Sequence, residues 1–271
     1  MAETLKLGIG GLGAIGMSVA RAVDTGNIPG IRLVAVSARD HVKARSKIGG
    51  LRSRPELVGL ADLADLADVV LECIPARHFA EIAGPAVARG RIFMPLSVGQ
   101  LLGHMHLVEQ AKATGARILV PTGALLGLDA VRAVAEGRVD SVRITTRKPP
   151  KGLAGAPYLV ERGIDLDTIT TATRIFEGTA REAIKGFPAN VNVAVALSLA
   201  GIGPDRTRIE IWADPAVTRN THTIEVRSDS SDFTMTIANI PSPETPATGK
   251  ITALSAIAAL RRLTAPLVVG T

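Results

Sequence analysis

The chain has a single cysteine, few aromatic residues and no long apolar run, and each shortage excludes a class of protein or site. One cysteine in 271 residues excludes an internal disulfide and a multi-cysteine zinc or iron–sulfur centre. Aromatic residues make up only 3%, which argues against stacking platforms for nucleic acid. No apolar run approaches the ~18–20 residues of a membrane-spanning helix. We therefore expect no metal site, no nucleic-acid partner and no membrane partner. An acidic rather than basic start, MAETLKLG, favours a cytoplasmic protein over a secreted one.

The remaining composition is that of a globular α/β protein with a mildly basic surface. Hydrophobic residues make up 46% and charged residues 21%, so a core of Ala, Val, Leu and Ile is expected. The formal net charge is +6, and the Lys and Arg residues are scattered rather than arranged in a stripe. A basic surface of this kind is either merely solvated or suited to an anionic cofactor and an anionic small substrate.

A glycine motif near the start has the context that dinucleotide binding requires. A short apolar strand from Leu5 to Ile9 leads into GLGAIG, and a helix follows. In such turns the first glycine permits the bend, the second lets pyrophosphate approach the backbone, and the third lets helix and strand pack closely. The helix N-terminus offers N–H groups and partial positive charge to phosphate. The predicted cofactor-binding turn comprises Gly11, Leu12, Gly13, Ala14, Ile15 and Gly16.

The end of the next strand, expected over residues 31–37, bears on the choice between NAD and NADP. NAD-selective sites usually carry an acidic residue there, which bonds the ribose 2′-hydroxyl. Here the strand ends in Ser37, Ala38 and Arg39, and Asp40 comes slightly late. Ser37 and Arg39 could accept a 2′-phosphate, although Arg39 could equally project into solvent. Our hypothesis is that NADP is tolerated or preferred.

Strands and helices continue to alternate up to residue 124, which is typical of βαβ units and a parallel sheet. Strands are predicted within residues 67–75, 91–99 and 116–124. Ligands bind at the carboxyl ends of such strands, so the thiol of Cys73 is expected to line the cofactor without acting as a nucleophile. We predict an N-terminal Rossmann-type parallel sheet in a dinucleotide-binding domain over residues 1–123.

The second half predicts an α+β catalytic domain over residues 124–240, with substrate-binding and dimerisation roles. Segments with a strand period of two imply a mostly antiparallel sheet with helices on one face. The predicted strands lie in VDSVRITTRKPP, RTRIEIWADP, THTIEVRS and DFTMTIANIP. We expect KGLAGAPYLVERG to form a loop, ATRIFEGTAREAIKGFP to contain a helix, and ANVNVAVALSLAGIG to form a helix. The segment 241–271 should pack back onto the first domain through an amphipathic helix.

One histidine stands alone in the second half. His222 lies in the predicted strand THTIEV, and strand alternation predicts that its side chain points away from Thr221 and Thr223. Histidine exchanges protons near neutral pH, so His222 is either the proton-transfer group of an enzyme or a solvent-exposed strand residue.

Several segments together give the chain a family resemblance over essentially its whole length. It resembles the L-aspartate dehydrogenase family in GLGAIG, VPTGALLGLDA, TRKPP, FEGTAREAIKGFPANVNVAVALSLAGIG, RNTHTIEV and NIPSPETPATGKITALSAI. The resemblance implies NAD- or NADP-dependent oxidative deamination of L-aspartate to iminoaspartate, then oxaloacetate and ammonia, and it links iminoaspartate to NAD biosynthesis. It also implies that His222 is the active-site histidine and that Ala124 and Asn190 contact the cofactor.

An aspartate substrate carries two carboxylates, so its pocket should hold cationic or N–H donors. Lys148, in TRKPP, and Arg219 are the candidates from the second half, with plain surface charge as the alternative for each. Two other interpretations stay open: another two-domain oxidoreductase similar to dihydrodipicolinate reductase or homoserine dehydrogenase, or a dinucleotide-sensing module without turnover. A homodimer is expected from the frequency of such assemblies.

Overall fold

The computed structural model describes residues 4–188, 191–242 and 249–270. The chain divides into two compact units, one of residues 1–121 and 252–268, the other of residues 122–251 and 269–271. In the described ranges, every helix is too short or too polar to cross a membrane.

The first unit is built on a six-stranded sheet in which every pair of neighbours is parallel. The strand order is β3-β2-β1-β4-β5-β6. The order steps outward from β1 in both directions, and the change of direction at β1 is the point where sheets of this type bind ligands. The strands are β1 (Leu5–Gly10), β2 (Ile31–Ser37), β3 (Glu56–Leu57), β4 (Val69–Glu72), β5 (Ile92–Pro95) and β6 (Arg117–Ile118).

Helices flank this sheet and bury its aliphatic side chains. The helices of the unit are α1 (Ala14–Asp24), α2 (His41–Ile48), α3 (Leu63–Leu66), α4 (Phe79–Ala88), α5 (His106–Thr114) and most of α10 (Lys250–Thr264). Ala256 and Leu260 of α10 join the same core as Leu7 and Ile9 of β1 and Val19 of α1. Thr264 also donates its hydroxyl to the Pro29 carbonyl. The last helix therefore belongs to the core of the first unit.

The second unit contains a five-stranded sheet with the order β11-β10-β7-β9-β8. β7 and β9 run parallel, and the other neighbours are antiparallel. The prediction of a parallel Rossmann-type sheet followed by an α+β unit with a mostly antiparallel sheet is thus confirmed. The strands are β7 (Val139–Lys148), β8 (Thr173–Thr179), β9 (Arg208–Ala213), β10 (Thr221–Ser228) and β11 (Phe233–Ala238).

One face of this sheet is apolar and packs under helices. β7 and β10 contribute the buried side chains of Val142, Ile144, Ile224 and Val226. Gly201 lies so close to Val142 and to Val131 that an added Cβ would stand 3.8 Å and 3.0 Å from their methyl groups. The helices of the unit are α6 (Leu128–Ala135), α7 (Pro157–Glu161), α8 (Ala180–Gly186) and α9 (Asn192–Ala200).

Two segments of the second unit differ from the prediction. The expected loop over 151–163 contains a 3-10 turn, Pro150–Leu153, and helix α7, because Pro157 suits a first helical position and Leu159 is buried. The segment expected only to contain a helix begins with strand β8. Thr179 ends that strand and caps α8 in a reciprocal capping box with Glu182.

Shorter differences occur in the first unit. The predicted strands over 67–75 and 116–124 are reduced to Val69–Glu72 and Arg117–Ile118. A 3-10 turn, Val98–Gly103, precedes α5. Apolar residues therefore continue past the strand ends into loops that are partly buried.

Candidate active site

The glycine turn of the first unit combines a constrained backbone with one open position. Gly11 has a φ of 97°, and a Cβ there would lie 2.4 Å from the Cys73 carbonyl oxygen. A Cβ on Gly16 would lie 2.0 Å from the Gly11 carbonyl oxygen. A Cβ on Gly13 would meet no described atom within 4 Å. Gly11 and Gly16 therefore serve the chain's own packing, and Gly13 leaves space for a ligand to approach the backbone.

The turn opens into α1, whose N-terminal N–H groups no side chain caps in the described part of the chain. Ala14 and Ile15 form the first positions of that helix. Lys47 of α2 donates its ammonium to the carbonyl of Leu12, which adds a positive charge beside the turn. These features suit the pyrophosphate of a dinucleotide.

Three of the other predicted cofactor residues lie around the same turn. The Gly11 N–H donates to the Ser37 carbonyl at 2.8 Å, and the Cys73 N–H donates to the Gly10 carbonyl at 2.8 Å. Ser37 is buried, whereas Arg39 is exposed just beyond β2. Asp40 uses its carboxylate to cap α2, accepting from the Lys43 N–H at 2.9 Å.

A fully buried carboxylate, Glu72, ties the ends of β4 and β5 together. Its Oε1 accepts from the Ile74 N–H at 3.0 Å and the Ser97 hydroxyl at 3.0 Å. Its Oε2 accepts from the N–H groups of Leu96 at 3.1 Å and Ser97 at 2.8 Å. Burial raises the pKa of Glu72. Burial first, and then the Glu72 charge, raise the pKa of the Cys73 thiol, which opposes a nucleophilic role.

The second unit holds His222 in the middle of its sheet. Its side chain is 3% exposed and shares the apolar face with Ile224, while Thr221 and Thr223 are half-buried on the other face. Thr146 of β7 lies directly opposite in the antiparallel register, and its Oγ1 is 3.0 Å from His222 Nδ1. The predicted alternation is confirmed, and the exposed-strand alternative for His222 is wrong.

Lys148 lies two residues beyond Thr146 on the same face of β7. It is 7% exposed, so the alternative of plain surface charge is wrong for it. Burial lowers its pKa to about 8. Burial first, and the Lys148 charge second, lower the pKa of His222 to about 4. At neutral pH the imidazole is therefore neutral and the nearby ammonium is mostly charged.

The remaining predicted residues of the second unit are placed less centrally. The Ala124 carbonyl accepts from the side-chain amide of Asn239 at 3.0 Å, and the Asn239 N–H donates to the Asn220 carbonyl at 2.9 Å. Arg219 is exposed just before β10. Asn190 lies outside the described residues. Among those described, no cluster of three His, Cys, Asp or Glu side chains could hold a metal ion.

The sequence reasoning missed the residues that support the site rather than form it. Glu72 ends β4, Lys47 lies near the end of α2, and Asn239 directly follows β11. Thr146 had a usable signal. The alternation of VDSVRITTRK puts it on one face with Lys148, but its partner could be identified only from the strand register.

Two family profiles match different parts of the chain. "Homoserine dehydrogenase, NAD binding domain" matches residues 11–121, and "Aspartate dehydrogenase, C-terminal" matches residues 129–263. Among curated proteins, the L-aspartate dehydrogenase of Bradyrhizobium diazoefficiens is 54% identical and covers 98% of this chain and 94% of that protein. L-aspartate dehydrogenase 3 of Bordetella bronchiseptica is 51% identical and covers 99% and 98%.

Solved structures agree on the fold. The crystal structure of aspartate dehydrogenase from Thermotoga maritima aligns with a TM-score of 0.73 at 24% identity, covering 98% of this chain and 99% of that one. A homoserine dehydrogenase from Thiobacillus denitrificans aligns with a TM-score of 0.59 at 16% identity, covering 97% and 74%. The sequence identity to the two curated proteins extends over nearly the full length of this chain and of each relative. The protein therefore belongs to the L-aspartate dehydrogenase family.

Proposed function

We propose that the protein is an L-aspartate dehydrogenase, an enzyme that acts on the CH–NH2 group of L-aspartate with NAD or NADP. The products are iminoaspartate and then, by hydrolysis, oxaloacetate and ammonia, and the reverse amination uses the same groups. Iminoaspartate released before hydrolysis would be available to NAD biosynthesis. The observation that carries the proposal is a buried histidine beside a buried lysine in a chain 54% identical to a curated L-aspartate dehydrogenase.

The first unit would act as the dinucleotide-binding domain. The open space at Gly13, the N-terminus of α1 and the Lys47 ammonium support a pyrophosphate at the glycine turn. Cys73 and Ser37 would line the neighbouring strand ends, and the family resemblance assigns cofactor contacts to Ala124 and Asn190. The bound nicotinamide supplies the acceptor for the hydride that leaves the substrate Cα.

His222 would carry the protons in the second, catalytic unit. Its low pKa leaves the ring neutral at pH 7, so it can accept a proton from the substrate nitrogen or from the water that attacks the imine. The two carboxylates of an aspartate bound next to Lys148 would offset the positive charge that helps to lower the His222 pKa. Substrate binding would therefore raise the basicity of His222 when the base is needed.

Lys148 and Arg219 would bind the two substrate carboxylates. Lys148 supplies a buried ammonium that is mostly charged at neutral pH, and such a charge in a low-dielectric setting attracts a carboxylate more strongly than it would in water. Arg219 is exposed just ahead of β10 and can make a bidentate contact.

The cofactor preference would lean towards NADP. Asp40 is occupied as the N-cap of α2, and Arg39 is exposed beside Ser37 at the end of β2. Arg39→Ala should raise the KM for NADP more than the KM for NAD, and Arg32→Ala, an exposed arginine within β2, is the control. A wild-type enzyme with a large preference for NAD would contradict this assignment.

We further propose a cytoplasmic homodimer. The face of the second sheet opposite His222 carries an ion pair, Arg143 with Glu210 at 2.8 Å, and a cation–π contact, Arg147 over Trp212 at 4.8 Å. Two-fold homodimers are the most frequent oligomers, and a face with both charge signs can pair with a copy of itself. Sedimentation equilibrium tests this, and a monomer at micromolar concentration would refute it.

The test of the activity is the appearance of reduced nicotinamide at 340 nm with L-aspartate and either dinucleotide. Homoserine with oxidised dinucleotide and dihydrodipicolinate with reduced dinucleotide serve as the competing substrates, and turnover of the latter is followed by loss of absorbance at 340 nm. Turnover that depends on L-aspartate and is absent with the others supports the proposal. Binding of dinucleotide without turnover of any of them would support the sensing-module alternative instead.

A further inference from the structure

We propose that Thr146 is a positioning residue for His222: its hydroxyl holds ring atom Nδ1, so that Nε2 is the nitrogen presented to the substrate. The proposal rests on the proposed function, because it assigns a supporting group to the histidine that transfers protons there.

The contact is short, buried and made by facing strands. Thr146 Oγ1 lies 3.0 Å from His222 Nδ1, and the two side chains are 1% and 3% exposed. The residues are direct partners in the antiparallel register of β7 and β10. Side chains of directly opposed residues interact closely, and the next pair on this face, Ile144 and Ile224, packs in the core. The sheet therefore fixes both ends of the hydrogen bond.

A hydroxyl suits this position because it both donates and accepts. When the imidazole is neutral, Thr146 can pair with Nδ1 in either tautomer. When Nε2 takes a proton, Nδ1 carries a hydrogen that donates to Oγ1, and when Nε2 releases that proton the pair returns to its starting state. The proton thus enters and leaves at Nε2 while the ring keeps its orientation. A hydroxyl adds no charge beside Lys148, whereas a carboxylate at this place would form an ion pair with it.

Without the hydroxyl, the ring would lose its anchor but keep its packing. Valine has nearly the shape of threonine and cannot make the hydrogen bond, whereas serine keeps the hydroxyl and loses a methyl group. Thr146→Val should lower kcat at least tenfold with little change in the KM for the dinucleotide. Thr146→Ser should stay within about threefold of the wild-type kcat.

A matched control lies on the opposite face of the sheet, between β10 and β11. The hydroxyl of Thr223 is 3.1 Å from that of Thr236, so Thr223→Val also removes a threonine hydrogen bond next to His222. It should leave kcat unchanged. In a His222→Asn background, Thr146→Val should cause no further loss of kcat, because its effect acts through the ring.

A spectroscopic measurement keeps the inference independent of the activity. In protein with 15N-labelled imidazoles, Thr146→Val should shift the Nδ1 resonance of His222, because that atom loses its hydrogen bond, whereas Thr146→Ser should keep the wild-type shift. Absence of aspartate turnover in the wild type would refute the proposed function without altering this result. The inference itself is overturned by an unchanged Nδ1 shift in Thr146→Val, by a kcat within twofold of the wild type, or by equal losses in the Val and Ser variants.

Discussion

The first unit buries an acid, Glu72, where its strands end, and the second buries two bases, Lys148 and His222, within its sheet. Glu72 accepts three N–H groups and one hydroxyl, so it organises loops through their main chain. In the second unit, His222 meets a side chain instead, the hydroxyl of Thr146. A dinucleotide site can be made largely of backbone, whereas proton transfer needs particular side chains at particular distances.

The same contrast appears in what burial does to each unit. Burial disfavours the charged form in both, so it raises the pKa of Glu72 and lowers those of Lys148 and His222. In the first unit the charge sits among fixed N–H dipoles that favour it. In the second, the Lys148 ammonium lowers the pKa of His222, and the carboxylates of an arriving substrate would reverse that effect.

The largest expected effect comes from removing the proton carrier of the second unit. His222→Asn keeps a polar side chain next to the Thr146 hydroxyl, but the amide of asparagine cannot exchange protons near neutral pH. We expect kcat to fall by about 10²–10⁴-fold, with the dissociation constant for NADPH unchanged in a fluorescence titration. A kcat within tenfold of the wild type would remove His222 from the mechanism.

The two units also differ in how much of each could be predicted from the sequence. The glycine turn is local: strand, turn and helix lie within residues 5–24, and each glycine has a steric reason that the motif already implies. The Thr146–His222 pair joins residues 76 apart, and Asn239 reaches the Ala124 carbonyl across 115 residues. Such contacts depend on strand order and register, which a single sequence does not specify.

In the second unit, side-chain packing overrides the local preference of one segment for a loop. The segment 151–163 is rich in glycine and was expected to be a loop, yet Tyr158 of α7 packs its ring 5.4 Å from that of Phe176. The two rings come from different elements, α7 and β8, and the apolar pattern of neither segment predicts that they meet. A chain with so few aromatics places two of them in this contact, and no local signal marks it.

Replacing the buried lysine should separate stability from activity in the second unit. Lys148 has a pKa of about 8 instead of 10.5, so between these pH values the unfolded chain binds the extra proton and stability rises with pH. Below pH 8 the folded state bears the full cost of the buried charge, which corresponds to at most about 3 kcal/mol. Lys148→Met should therefore raise the free energy of unfolding at pH 7, by an amount that shrinks towards pH 10.5, while it raises the KM for L-aspartate. Urea titrations at pH 7 and 10 test this, and a destabilised variant at pH 7 would contradict it.

Substitutions of two glycines in the first unit should also separate stability from binding: Gly16→Ala should affect folding, and Gly13→Ala should affect dinucleotide binding. An added Cβ at Gly16 would stand 2.0 Å from the Gly11 carbonyl oxygen, so Gly16→Ala should lower the free energy of unfolding by about 1–3 kcal/mol. Gly13→Ala meets open space and should fold normally, but its methyl group should raise the dissociation constant for dinucleotide about tenfold, or ~1.4 kcal/mol. Thermal melts and binding titrations on both variants measure the two effects. Equal melting temperatures for both variants would show that the turn is less tightly packed than the contacts imply.

The smallest effect is expected at the buried acid. Glu72→Gln keeps the shape of the side chain, but an amide nitrogen replaces one of the two oxygens and must face an N–H or hydroxyl donor. Leaving such donors unmet costs about 1–2 kcal/mol, and the loss is partly offset because the variant no longer buries a charge whose pKa burial has raised. Ser97→Ala is the matched control, since it removes only the hydroxyl that bonds Oε1. The Gln variant should show the larger fall in unfolding free energy and a weaker dinucleotide affinity at unchanged KM for L-aspartate. If the Gln variant binds dinucleotide as tightly as the wild type does, the carboxylate holds the strand ends only for folding. Dinucleotide binding by the first unit would then depend on its backbone alone.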